Sequence, residues 1–484
     1  MKILRRREVL KLSVADKIES EYPFLLLYLK ALVTKEILGI DLLKMAAEKR
    51  IFKNTSRYLK RIIELVTKWR YSQAEACVNL SRVVPSKNLK NFLYRLSQSI
   101  NSGEPMEKFI DREYRNFSAS YYEDKMQAIE RLRTLGDSFL SFESATLFLC
   151  VTILISSIFF SPELMITLSI LTVVSVSSIL FLLSWYMFKL AKPDGILAEA
   201  EAKPKQRRRI EVFGLASLII ALAIAFFASQ SSKLSHCLVS VGVPMLTAGA
   251  LGKIYVSRVK KREEEYPAFL RYIASICAVE VPVIVALKEL YETRFKYLNR
   301  AVKRLYAKLK MRVEPRIAWW SFEVELDSKL IQRINEIMVD TLYVGNLAKI
   351  AKTIENFYFT YMTVRRKRYQ VVSYLVNILI PLYAAVVGVL AVISGFFSAL
   401  SKFMNQVATL IPFLTPPPVS FINMFFIFVL VILALNNSIA IYSMEGDSRF
   451  TILFYVGLFL TIGGAIYSII NTATHHYLST IITL

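Results

Sequence analysis

Seven stretches of this 484-residue chain are long and apolar enough to cross a lipid bilayer: about 139–160, 165–188, 210–229, 235–256, 371–397, 420–443 and 451–472. A hydrocarbon core of about 30 Å takes roughly 20 mostly apolar residues, and in lipid such a run satisfies its backbone only as a helix. That feature predicts an all-α, polytopic membrane protein. Mean hydropathy is +0.43 and 55% of residues are apolar, yet 20% are charged. Polar and apolar residues are therefore segregated into blocks.

Lys and Arg in short loops remain on the cytoplasmic side of a membrane. Placing residues 1–138, 189–211, 253–369 and Arg449 on one side gathers 59 of the 61 Lys and Arg there, leaving only Lys233 and Lys402 opposite. Seven spans and this bias predict a cytoplasmic N-terminus and an extracytoplasmic C-terminus. The opening Met1-Lys2-Ile3-Leu4-Arg5-Arg6-Arg7 has no apolar run directly behind it, so no cleavable secretory signal is expected and span one serves as the insertion signal.

The expected organisation is a first cytoplasmic helical module over 1–138, spans one and two over 139–188, and a basic loop at 189–209. Spans three and four follow over 210–256, a second module over 257–369 and span five over 370–397. A Pro-rich outer loop at 398–419 precedes spans six and seven and a short outer C-terminus within 420–484. In the outer loop, Pro412 and Pro416-Pro417-Pro418 favour an extended segment, either a re-entrant piece or a contact surface for an outside partner.

The two modules share a plan. Glu21-Tyr22-Pro23 recurs as Glu265-Tyr266-Pro267, and Gly103 has a counterpart in Gly345, at offsets of 244 and 242 residues. The tripeptides are expected to start the first helix of each bundle. Pro85-Ser86 is expected to start a helix whose apolar face is Leu89, Phe92, Leu93 and Leu96. Long β alternation is missing.

Catalytic chemistry finds little support. No GxxxxGK[ST] or GxGxxG occurs. His236, His475 and His476 read as interfacial anchors, and Cys77, Cys150, Cys237 and Cys277 as packing residues without metal spacing. No cofactor or metal is expected. Ion-coupled transport calls for ionisable groups at membrane depth; Glu143 falls near the start of span one, and Lys253 near the end of span four, where it can snorkel. Asn377, Asn436 and Asn437 read as hydrogen-bonding links between helices. A transporter or channel built from repeats is the alternative reading, and a membrane-embedded enzyme a weaker one.

Basic clusters precede the outward-going spans. Arg207, Arg208 and Arg209 stand before span three, Arg365, Arg366, Lys367 and Arg368 before span five, and Arg131 and Arg133 before span one. They either anchor topology against anionic lipid headgroups or form a docking surface for an acidic soluble partner. Nucleic acid is not expected as a partner, because the modules are tied to a membrane.

Two helical modules, each followed by spans, resemble the polytopic platform proteins of type II secretion and type IV filament machines, the family with F domains. Leu80-Ser81-Arg82-Val83-Val84-Pro85-Ser86 through Leu93, Leu96, Ile100 and Ser102-Gly103 is similar to the first module of the archaeal branch. Tyr22-Pro23, Tyr266-Pro267 and Arg365 to Tyr369 resemble the module openings and the approach to the following span. The second module departs in lacking the Pro-Ser start and in having Val344-Gly345 for Ser102-Gly103. The resemblance implies a non-catalytic platform for an archaeal archaellum or adhesive pilus, working with a hexameric secretion ATPase and with pilin or archaellin subunits, in a homo-oligomer such as a dimer.

Overall fold

The computed structural model describes residues 2–33, 39–156, 162–191, 195–198, 203–228, 234–277, 281–292, 295–343, 347–407 and 419–482. The α-helices there are α1 (Lys2–Leu32), α2 (Gly39–Ala47), α3 (Thr55–Thr67), α4 (Gln73–Ser81), α5 (Lys87–Asn101), α6 (Met106–Ser156), α7 (Pro162–Ala191) and α8 (Lys205–Ala228). They continue as α9 (Leu234–Cys277), α10 (Val283–Glu292), α11 (Asn299–Lys310), α12 (Pro315–Leu326), α13 (Lys329–Tyr343), α14 (Leu347–Val407), α15 (Val419–Glu445) and α16 (Phe450–Ile482). Among the described residues there is no strand, only an antiparallel bridge between Leu197 and Ser328. Seven helices are long and apolar enough to cross a membrane, and each coincides with most of one predicted run, with 157–160 and 229 outside the described residues. The chain is an all-α, multi-pass membrane protein.

The fold divides into a polar unit (Met1–Met126, Ile196–Pro204, Arg258–Arg365) and an apolar unit (Gln127–Gly195, Lys205–Ser257, Arg366–Leu484). Most of both modules belongs to the polar unit, whereas residues 127–138 and 366–369 fall in the apolar one. Three of the division points fall inside α6, α9 and α14, each of which runs unbroken from polar into apolar sequence. Hydropathy changes along these helices while the backbone hydrogen-bond ladder continues.

Local signals explain the short helices of the polar unit. Ser72 and Glu75 form a reciprocal capping box at the start of α4, with both bonds at 3.2 Å. Ser86 caps α5 by accepting from the Leu89 amide at 3.2 Å. Leu89, Phe92, Leu93 and Leu96 are then buried on the α5 face expected for them. Pro315 occupies the first turn of α12, where its missing N–H costs nothing.

The repeated tripeptide does not start helices. Glu21-Tyr22-Pro23 lies within α1, and Glu265-Tyr266-Pro267 lies within α9, which begins at Leu234. Its glutamates instead serve other helices. Glu21 accepts from the Asn54 and Thr55 amides at 3.2 and 2.9 Å, at the start of α3. Glu265 accepts from the Lys296, Tyr297 and Leu298 amides at 3.1, 2.8 and 2.9 Å, just before α11. A carboxylate there satisfies orphan amides and complements the positive end of the helix dipole.

Candidate functional site

The two modules meet through α1 and the turn after α2 on one side and α13 and α14 on the other. Tyr28 Oη donates to Asp340 Oδ2 at 2.9 Å, and Lys49 Nζ donates to Asp340 Oδ1 at 2.7 Å. Arg333 donates to the Ser20 carbonyl at 3.1 Å and covers the Phe24 ring at 4.6 Å, while Phe24 packs edge-on against Phe357. Beside this seam, burial pushes the Glu323 carboxyl up to about 8, with the Glu336 charge adding to the rise. Burial likewise pushes Glu336 up to about 7, opposed by Lys49. Asn335 Nδ2 donates to Glu323 at 2.7 Å, and Tyr266 Oη donates to Asn335 Oδ1 at 3.3 Å.

Equivalent carboxylates organise the two modules. Glu19 accepts from Ser86 Oγ at 2.8 Å, and Glu263, 244 residues later, accepts from Ser328 Oγ at 2.6 Å. Ser328 in turn accepts from the Ile331 amide at 3.1 Å, as Ser86 does from Leu89. The second module thus lacks the Pro-Ser pair, as read from the sequence, but keeps its serine. Asp327-Ser328 replaces Pro85-Ser86, and only the proline is lost, because Asp327 adopts a left-handed φ of 52° closed to proline.

The seven predicted basic residues separate into structural and exposed groups. Arg365 Nη1 binds Glu263 Oε2 at 2.6 Å, with side chains 10% and 0% exposed, so it neutralises the buried carboxylate that holds Ser328. Arg368 donates through Nε to the Met444 carbonyl at 2.5 Å and through Nη1 to the Ala191 carbonyl at 3.5 Å. It therefore caps the C-terminal ends of α15 and α7, where a cation meets the negative end of the helix dipole. Arg207 is largely covered and paired with Glu211 at 3.1 Å, one turn along α8. Arg208, Arg209, Arg366 and Lys367 remain exposed, the first two on α8 and the others on α14. Neighbouring positions in sequence hid this division, because partners such as Met444 and Ala191 are remote along the chain.

In the apolar unit two of the three asparagines link helices as expected, whereas Asn377 is exposed on α14. Asn437 donates to Glu143 at 2.7 Å between α15 and α6, and Asn436 donates to Ser177 at 3.1 Å between α15 and α7. Glu143 is fully buried. Lys253 is held by α16 rather than extended away from the unit: Nζ donates to Tyr455 Oη at 2.8 Å and lies 4.1 Å from that ring's centroid. The Pro-rich stretch 408–418 and Gly345 lie outside the described residues.

Among the described residues no group of three or more His, Cys, Asp or Glu is placed to hold a metal ion. No family model and no solved structure matches the chain. Similarity to known proteins is nonetheless extensive. The chain is 25% identical over 445 residues to Flagella accessory protein J of Methanocaldococcus jannaschii, covering 86% of this chain and 77% of that protein. It is 24% identical over 427 residues to Flagella accessory protein J of Methanococcus voltae, covering 83% and 75% respectively.

Proposed function

We propose that this chain is a non-catalytic membrane platform for assembly of an archaeal type IV pilus-like filament, with the archaellum favoured over an adhesive pilus. The observation that carries this reading is similarity over most of the chain to two proteins named as flagella accessory proteins. The seven spans and the two-module polar unit support it, because a platform needs a membrane anchor and a broad surface for a soluble motor. Both modules then face the cytoplasm and engage a hexameric secretion ATPase, while pilin or archaellin subunits leave the lipid beside the spans.

Attraction between a positive surface and an acidic one accelerates encounter and orients docking. Within the clusters before spans three and five, Arg208, Arg209, Arg366 and Lys367 are suited to this role or to anionic headgroups, since their side chains are exposed. A strain lacking the gene and complemented with R208E/R209E plus R366E/K367E is expected to insert the protein normally but to show few or no surface filaments by electron microscopy. Normal filament numbers would remove these four residues from the docking role. Failure of the unaltered gene to restore filaments would remove the platform reading itself.

A further inference from the structure

The turn that closes α3 and the turn that closes α11 match residue for residue at the 242-residue offset: Lys68-Trp69-Arg70-Tyr71 against Lys310-Met311-Arg312-Val313. Each alternates a basic and an apolar side chain. Trp69 is 71% exposed and Met311 69%, and Lys68, Arg70, Lys310 and Arg312 are exposed beside them. The observation is the repetition: one exposed apolar side chain flanked by two cations stands at the equivalent turn of each module.

The backbone adds a second observation. Arg70 and Arg312 have φ of 56° and 59°, in the left-handed region that glycine enters without penalty. The chain itself shows the glycine solution at the end of α5. There Gly103 has φ of 68°, its amide donates to the Ile100 carbonyl at 3.2 Å, and the Glu104 amide donates to Ser99 at 3.1 Å. At Arg312 the same two bonds recur, from Arg312 to Leu309 and from Val313 to Lys308, both at 3.0 Å. Arginine therefore occupies both turns against the backbone's preference. An exposed guanidinium there complements the negative end of the helix dipole, and it also leaves a cation beside the exposed apolar side chain, available to a carboxylate outside the turn.

We propose that the two turns are a matched pair of docking tips, each inserting its apolar side chain into a carboxylate-rimmed apolar pocket repeated on a multimeric soluble protein. Resting on the platform reading, that protein is the filament ATPase. Exposed Glu75 and Glu314 follow each tip within a few residues. They would be repelled by an anionic lipid surface but are tolerated at a protein interface, where each can find its own partner. Two copies of one tip on one chain also suit a partner that presents the same pocket more than once.

Glycine provides the discriminating test. The full-length R70G/R312G chain in nanodiscs of neutral lipid is expected to melt about 2–4 °C higher than the unaltered chain, since the turns relax. It is also expected to bind the purified ATPase at least tenfold more weakly and to restore few filaments in cells. W69S/M311S should lose binding to a similar degree without the gain in melting temperature. Undiminished ATPase binding by both variants, with the unaltered chain binding and restoring filaments, would overturn the tips and leave the platform reading intact. So would variants that bind the ATPase normally but lose attachment to vesicles of anionic lipid, which would make the tips membrane contacts. An unaltered chain that neither binds the ATPase nor restores filaments would remove the platform reading and the tips' partner together.

Discussion

Neighbouring residues in this chain do different work according to what lies opposite them. Arg365 neutralises Glu263, which is 0% exposed, whereas Arg366 one position later is exposed. Removing one partner of a buried pair leaves an uncompensated charge, so R365A is expected to cost about 3–5 kcal/mol. R366A, at a surface position, should stay within about 0.5 kcal/mol; thermal melts of the two purified variants separate these outcomes. Glu323 provides a pH-dependent case. Its carboxyl, pushed up to about 8 by burial, keeps its proton in the folded state at pH values where the unfolded chain has lost it. Over that range the folded state binds more protons, so stability falls as pH rises from the ordinary carboxylate range through about 8. E323Q keeps an acceptor for Asn335 without the charge. It should stabilise the chain by roughly 1–2 kcal/mol at pH 9 and leave it nearly unchanged at pH 5, and equal melting shifts at both values would contradict this.

At the scale of elements, α9 and α16 approach through glycines with almost no space between their backbones. A Cβ on Gly457 would lie 2.3 Å from the Leu246 amide nitrogen, and one on Gly249 would lie 2.3 Å from that of Phe454. Small residues allow this proximity between spans, whose association rests on packing and hydrogen bonds rather than on exclusion of water. G457A is therefore expected to force the helices apart and sharply reduce the yield of monodisperse protein. G388A faces only the flexible end of Ile470 at 3.5 Å and should be neutral or stabilise by about 0.5–1 kcal/mol through helix propensity. If the two variants behaved alike, the close approach would lose its meaning. The spans themselves were legible in the sequence, because length and hydropathy suffice to define them. So was the buried face of α5, from the spacing of Leu89, Phe92, Leu93 and Leu96. The uninterrupted course of α6, α9 and α14 was not, since a change from polar to apolar residues looks like a boundary even where helical hydrogen bonding continues. Nor were the roles of Arg365 and Arg368, whose partners are fixed by tertiary packing alone.

For the whole molecule, the side of the membrane proposed for the modules rests on charge, and labelling can test it. Single cysteines introduced at exposed Trp69 and Met311, with the natural cysteines replaced by serine, should react with an impermeant maleimide in inverted vesicles and not in intact cells. Labelling in intact cells would reverse the orientation proposed from 59 basic residues on one side. The paired modules also show which parts of a duplicated fold resist drift. Tyr22 and Tyr266 stay the same, but Leu89, Phe92, Leu93 and Leu96 correspond to Ile331, Ile334, Asn335 and Met338, all buried. Three of these exchanges keep the apolar pattern and roughly the volume, which cores accept, and the fourth, Asn335, is buried with its hydrogen bonds made to Glu323 and Tyr266. Helix starts are less forgiving: Glu19 and Ser86 reappear as Glu263 and Ser328, and Glu21 reappears as Glu265, each still serving the same helix end. Distant kin of this chain should therefore be sought by the spacing of a few capping acids and serines, a signature that survives after the composition of the core has ceased to be recognisable.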